Sequence, residues 1–102
     1  MSKSKYSVLI YPTAEKDLME IQDYFENNLK TTIDSLFEKF DKQVTLIEEK
    51  PFIYSLVKDV YLSQLGYRMI PVDNFLIFYI ISGDTVQIHR FLYGKRDYLQ
   101  IL

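Results

Sequence analysis

The chain of 102 residues has no cysteine, no tryptophan, a single histidine, three glycines and three prolines. Without cysteine there is neither a disulfide framework nor a thiolate metal site, and one imidazole, His89, cannot build a histidine-rich zinc centre. No metal and no cofactor is expected. So little glycine and proline leaves few places for a flexible linker, and no internal repeat or low-complexity segment is visible. No apolar run approaches the ~20 residues that a membrane helix needs, the longest extending from Phe75 to Ile81. The start, Met1-Ser2-Lys3-Ser4-Lys5, is followed only by a short apolar stretch that Ser7 interrupts and Pro12 closes, which is not a signal-peptide pattern. A soluble, cytoplasmic protein without membrane contact is the expectation.

What is present in quantity is apolar and aromatic: 48% hydrophobic and 16% aromatic residues, the composition of a chain with one well-filled core. The length predicts one domain over residues 1–102 and leaves no room for two independent cores. Net charge is −2, and it is unevenly spread. Residues 1–50 hold seven Lys and Arg against ten Asp and Glu, whereas residues 66–102 hold four against three. No basic stripe advertises extensive phosphate contact, which argues against a strong nucleic-acid binder while leaving room for a small local basic site.

Tyr6-Ser7-Val8-Leu9-Ile10-Tyr11 is rich in β-formers and stops at Pro12, as a first strand would. Thr13 is then placed to cap a helix in which Ala14, Leu18, Ile21 and Phe25 recur at helical spacing, with Glu15 and Asp17 near its positive end. Asn27-Asn28 breaks this pattern, and Thr31 or Thr32 offers a cap for a second helix carrying Ile33, Leu36, Phe37, Phe40, Val44 and Ile47 up to Pro51. Residues 51–65 have no clean period yet are apolar, and read as a packed loop. Three strands follow: Gly66 to Pro71, Phe75 to Ile81 and Thr85 to Tyr93, with turns at Asp73-Asn74 and Ser82-Gly83-Asp84. Apolar residues at both parities make the Phe75 strand central. Along the last strand, simple alternation puts Arg90 with Val86, Ile88 and Leu92, and His89 with Gln87, Phe91 and Tyr93. The expected class is α+β, in the order β-α-α-β-β-β, an antiparallel sheet packed against an N-terminal helical hairpin. The final apolar residues 98–102 are expected to pack on this sheet or under a partner.

Ala14-Glu15-Lys16-Asp17-Leu18-Met19-Glu20-Ile21-Gln22-Asp23-Tyr24, then Tyr67-Arg68, then Ile77-Phe78-Tyr79, then Tyr93-Gly94-Lys95-Arg96-Asp97 occur in an order that resembles the RelE/ParE toxin superfamily, and its ParE-like branch most. In that branch the last strand runs into a His-Gly-Arg-Arg-Asp-type turn, with Tyr93 here in the histidine's place. The resemblance implies a type II toxin neutralised by a cognate antitoxin. The branches imply different targets: DNA gyrase for ParE-like members, or ribosome-bound mRNA for RelE-like endonucleases.

A metal-free ribonuclease needs converging cations and a general acid or base. Arg68 and Arg96 match basic positions of the RelE-like pattern, and Tyr93 and His89 are the remaining polar candidates, neither at a position that pattern requires. Ile70, Leu76 and Leu102 stand where the family has polar groups, and a phenol titrating near ~10 is a poor base at Tyr93. Binding is therefore read ahead of cleavage, through Arg68, Arg90, Tyr93, Lys95, Arg96 and Asp97. Arg68 has a purely structural alternative in pairing with Asp73, Asp84 or Asp97, and Arg90 in meeting a buried acid. A non-toxic module that only binds its antitoxin is a third reading, and a homodimer is left open.

Overall fold

The computed structural model describes residues 6–94, so Lys95, Arg96, Asp97 and the tail 98–102 lie outside the described residues. The elements are β1 (Ser7–Ile10), α1 (Pro12–Asn27), α2 (Asp34–Glu49), α3 (Val60–Gln64), β2 (Arg68–Val72), β3 (Phe75–Ser82) and β4 (Thr85–Tyr93). They form an α+β structure around one sheet in the order β1-β4-β3-β2. β2, β3 and β4 are an antiparallel meander, and β1 joins β4 in parallel.

The helices start without the caps expected of them. Pro12 occupies the first turn of α1, where its missing N–H costs nothing, and Tyr11 precedes it with no side-chain cap. Thr13 does not cap; its hydroxyl donates to the His89 carbonyl at 2.6 Å. Ile33, not Thr31 or Thr32, precedes α2, again without a capping bond. Both helices are held by burial of one face. Ala14 of α1 and Leu36, Phe40 and Ile47 of α2, with Ile33, share a core with Ile70, Val72, Ile77, Tyr79, Val86, Ile88 and Phe91 of the sheet.

Residues 51–65 are more ordered than a loop. Asp59 accepts the Leu62 N–H at 2.9 Å and so caps α3, a helix of five residues and too short to leave a period in the sequence. Gly66, at φ +91°, closes it in the left-handed conformation, so β2 begins at Arg68 rather than at Gly66. This segment covers the second face of the sheet: Val57, Leu62 and Tyr67 pack with Phe78 and Leu92. β3 is thus central and buried on both faces, as its double-parity run requires. On the outer side of β2, Leu56 bridges to Arg68, and Pro71 sits exposed within the edge strand.

Tyr79 fixes the lower end of the core. Its hydroxyl donates to the Pro51 carbonyl at 2.7 Å, and burial pushes its pKa up to about 12 despite the nearby Arg68 charge. Tyr79→Phe strips a buried carbonyl of its donor and is expected to cost about 1–2 kcal/mol, read as an earlier urea midpoint with an unchanged slope.

The alternation expected along β4 fails at one residue. Phe78 lies opposite Arg90 and Tyr79 opposite Ile88, so His89 is the extra residue of a β-bulge. Val86, Ile88 and Phe91 consequently share the helix-facing core, while Leu92 belongs to the other. His89 does not share a face with Phe91, and Arg90 does not continue the row of Val86 and Ile88.

Candidate functional site

β4 is nine residues long and its neighbour β1 only four, so beyond Ile88 the outer edge of β4 has no strand beside it. The start of α1 takes that place. The Tyr11 N–H donates to the Ile88 carbonyl at 2.9 Å, Thr13 follows on the His89 carbonyl, and one turn later Asp17 Oδ2 accepts the Phe91 N–H at 3.0 Å. The same carboxylate takes Arg90 in a two-pronged pair, Nε to Oδ2 at 2.7 Å and Nη2 to Oδ1 at 2.9 Å. Hydrogen bonding to Asp17 raises the Arg90 pKa above its already high ordinary value, so the guanidinium is charged at any physiological pH.

The following turns of α1 face the end of β4 across an open groove of about 500 Å³. Ile21, Tyr24, Phe25 and Leu29 form one wall; Phe75 and Tyr93 belong to the other, and Asp17 and Glu20 make one end acidic. The aromatic rings support one another, with Phe25 6.4 Å and Tyr93 5.8 Å from the Phe75 ring. Tyr24 and Leu29 are 51% and 49% exposed, large apolar surface with nothing over it among the described residues.

The residues singled out from sequence fall in three places. Tyr93 lines the groove, and Arg90 is held by the buried Asp17. Arg68 lies elsewhere: its Nη1 donates to the Tyr54 carbonyl at 2.6 Å and its guanidinium sits 5.0 Å from the Phe52 ring centroid. Asp73, one of the acids considered for Arg68, pairs instead with Lys39 at 2.8 Å. Arg68 faces Tyr79 and Tyr93 faces Phe75, so four residues of β3, about 13 Å at strand spacing, separate them. Lys95, Arg96 and Asp97 lie outside the described residues. Tyr24 and Leu29 were not singled out from sequence, although Ile21, Tyr24 and Phe25 at spacings of three and four already widen the apolar stripe of α1 beyond what one core contact needs. Among the described residues no group of His, Cys, Asp or Glu could hold a metal ion, and no helix is long and apolar enough to cross a membrane.

The family model for the ParE toxin of type II toxin-antitoxin systems, parDE, matches residues 8–98. The chain belongs to this family. Among solved structures, the ParE fold seen here is similar to a chain of the chromosomal ParDE TA system from P. aeruginosa, with a TM-score of 0.71 at 15% identity, over 89% of this chain and 98% of that one. No curated protein matches significantly in sequence. In this ParE-family toxin the expected α+β architecture and the ParE-like assignment both hold.

Proposed function

We propose that this ParE-family toxin acts in the cytoplasm by occupying a macromolecular target, DNA gyrase, and that a cognate antitoxin neutralises it by seating an apolar segment in the groove between α1 and β4. The groove carries the reading. It offers Ile21, Tyr24, Phe25, Leu29, Phe75 and Tyr93 as anchoring surface, and Glu20 beside Asp17 as a partner for a basic residue on the incoming segment. The family to which the chain belongs supplies the partner class.

A binding mode is favoured over RNA cleavage by the placement of the described candidates. Arg68 is engaged by a backbone carbonyl and an aromatic ring, and lies about 13 Å along the sheet from Tyr93, so the two do not converge on one phosphate. The test is a supercoiling assay. Purified toxin is expected to reduce the supercoiling of relaxed plasmid by gyrase in a dose-dependent manner, and antitoxin to restore it. Undiminished supercoiling at large molar excess, together with cleavage of translated mRNA in the ribosomal A site, would replace this reading with the endonuclease.

A further inference from the structure

The turn after α2 presents a second apolar surface, separate from the groove. Phe52, Ile53 and Leu56 are 61%, 52% and 43% exposed, three large side chains within five residues that belong to neither core cluster and do not line the groove. The backbone carrying them is firmly held. The Ile53 N–H donates to the Lys50 carbonyl at 3.1 Å, the Pro51 carbonyl accepts from Tyr79, the Tyr54 hydroxyl donates to Gln43 Oε1 at 2.8 Å, and Leu56 bridges to Arg68 of β2. An ordered turn thus fixes apolar side chains in solvent, where they add nothing to the core.

Arg68 stands beside them. It shares the helix-facing parity of Ile70 and Val72, and its guanidinium is clamped twice, by the Tyr54 carbonyl at Nη1 and by the Phe52 ring, which Tyr6 in turn meets at 78°. The cation is therefore positioned before anything binds, which spares a partner the entropy of ordering it. Its charge is nevertheless unanswered: among the described residues the acids in ion pairs are Asp73, held by Lys39, and Asp17, held by Arg90. The Tyr54 carbonyl takes one N–H, and the remainder of the planar fork is open to a carboxylate from outside. A fixed arginine ringed by exposed apolar side chains has the make-up of an interface anchor.

We propose that Arg68, Phe52, Ile53 and Leu56 form a docking surface for an acidic, apolar segment of a partner protein, with one carboxylate on the guanidinium and aliphatic side chains laid over Ile53 and Leu56. Nucleic acid fits poorly. A phosphate chain needs several cations in a row, whereas the neighbouring Lys50 follows Glu48 and Glu49, and the Phe52 ring on which a base would stack is already engaged by Arg68 and Tyr6. Residues 1–5, which lead into Tyr6, hold two lysines and no acid, so they supply no carboxylate either. The groove is acidic at one end, through Asp17 and Glu20, and a segment whose charge suits one surface is repelled by the other. With the antitoxin in the groove, this second surface falls to the target. That assignment rests on the target occupancy proposed above; the surface itself does not.

Titrated into the full chain, a capped hexapeptide of alternating glutamate and leucine is expected to shift the amide resonances of Phe52, Ile53, Leu56 and Arg68, while its lysine–leucine counterpart and a single-stranded hexanucleotide leave them in place. Arg68→Gln should weaken the glutamate peptide about tenfold, the loss of one charge-assisted hydrogen bond, and Ile53→Asp, at a half-exposed position outside the core, by a similar factor. Should Arg68→Gln not fold, Ile53→Asp decides. Shifts confined to the groove, equal shifts with the lysine peptide or the nucleotide, or shifts that follow the toxin's own concentration and so mark a second copy would overturn the proposal. In the supercoiling assay, Ile53→Asp should require about tenfold more toxin for the same inhibition while binding antitoxin as the wild type does. Equal inhibition by Ile53→Asp would overturn the assignment of this surface to the target. A wild-type toxin that leaves gyrase untouched, with the glutamate peptide mapping to Arg68 as expected, would count against gyrase and not against the surface.

Discussion

Asp17→Ala is expected to destabilise this toxin by about 3 kcal/mol, the low end for removing one partner of a buried ion pair, because Arg90 retains some contact with solvent. Two losses combine in that figure. The Arg90 guanidinium is left in a largely buried site without its carboxylate, and the Phe91 N–H, on the strand edge that β1 does not reach, loses its acceptor. Asp17→Asn separates them, since an amide oxygen can still accept from Phe91 while the charge pairing is gone; it should recover part of the loss. Combining Asp17→Ala with Arg90→Met should cost less than the two single changes together, as the second substitution removes the stranded charge. Urea denaturation of the four variants measures this, and a strictly additive cycle would show that the pair does not hold α1 to β4.

Tyr24→Ala is expected to weaken antitoxin binding by about 30-fold or more, the effect of losing a central aromatic anchor worth about 2 kcal/mol. Tyr24 is half exposed and borders the groove without belonging to the buried core, so folding should be little changed and the effect should appear as faster dissociation. Titration of the variant with its antitoxin gives the answer; unaltered affinity together with an unaltered melting transition would move the antitoxin off this groove.

Much of this fold was written plainly in the chain. β4 begins and ends where its pattern does, and the double-parity run from Phe75 declared a central strand with cover on both sides. The misreadings share a physical cause: local propensity lost to long-range contact. Thr13 looked like a cap, but the carbonyl freed by the end of β1 was the better acceptor. Asp17 looked like a charge placed for the helix dipole, and only the register of β4 brings Arg90 and Phe91 to it across more than seventy residues of chain. The bulge at His89 could not be read from alternation, since one inserted residue leaves composition untouched while exchanging the faces of everything after it. The groove was half legible, because the broad apolar stripe of α1 was visible but the β4 edge opposite it was not.

Pro71 interrupts the border along which a further strand would have to pair. It lies in β2, the outermost strand on its side, and contributes no N–H to a would-be neighbour, while the bridge from Leu56 already claims the first residue of that strand. A stranger's strand laid along this border finds a missing rung and an occupied one within four residues. Sheet-to-sheet polymerisation needs two open borders on every molecule, and a border interrupted in this way at β2 works against it.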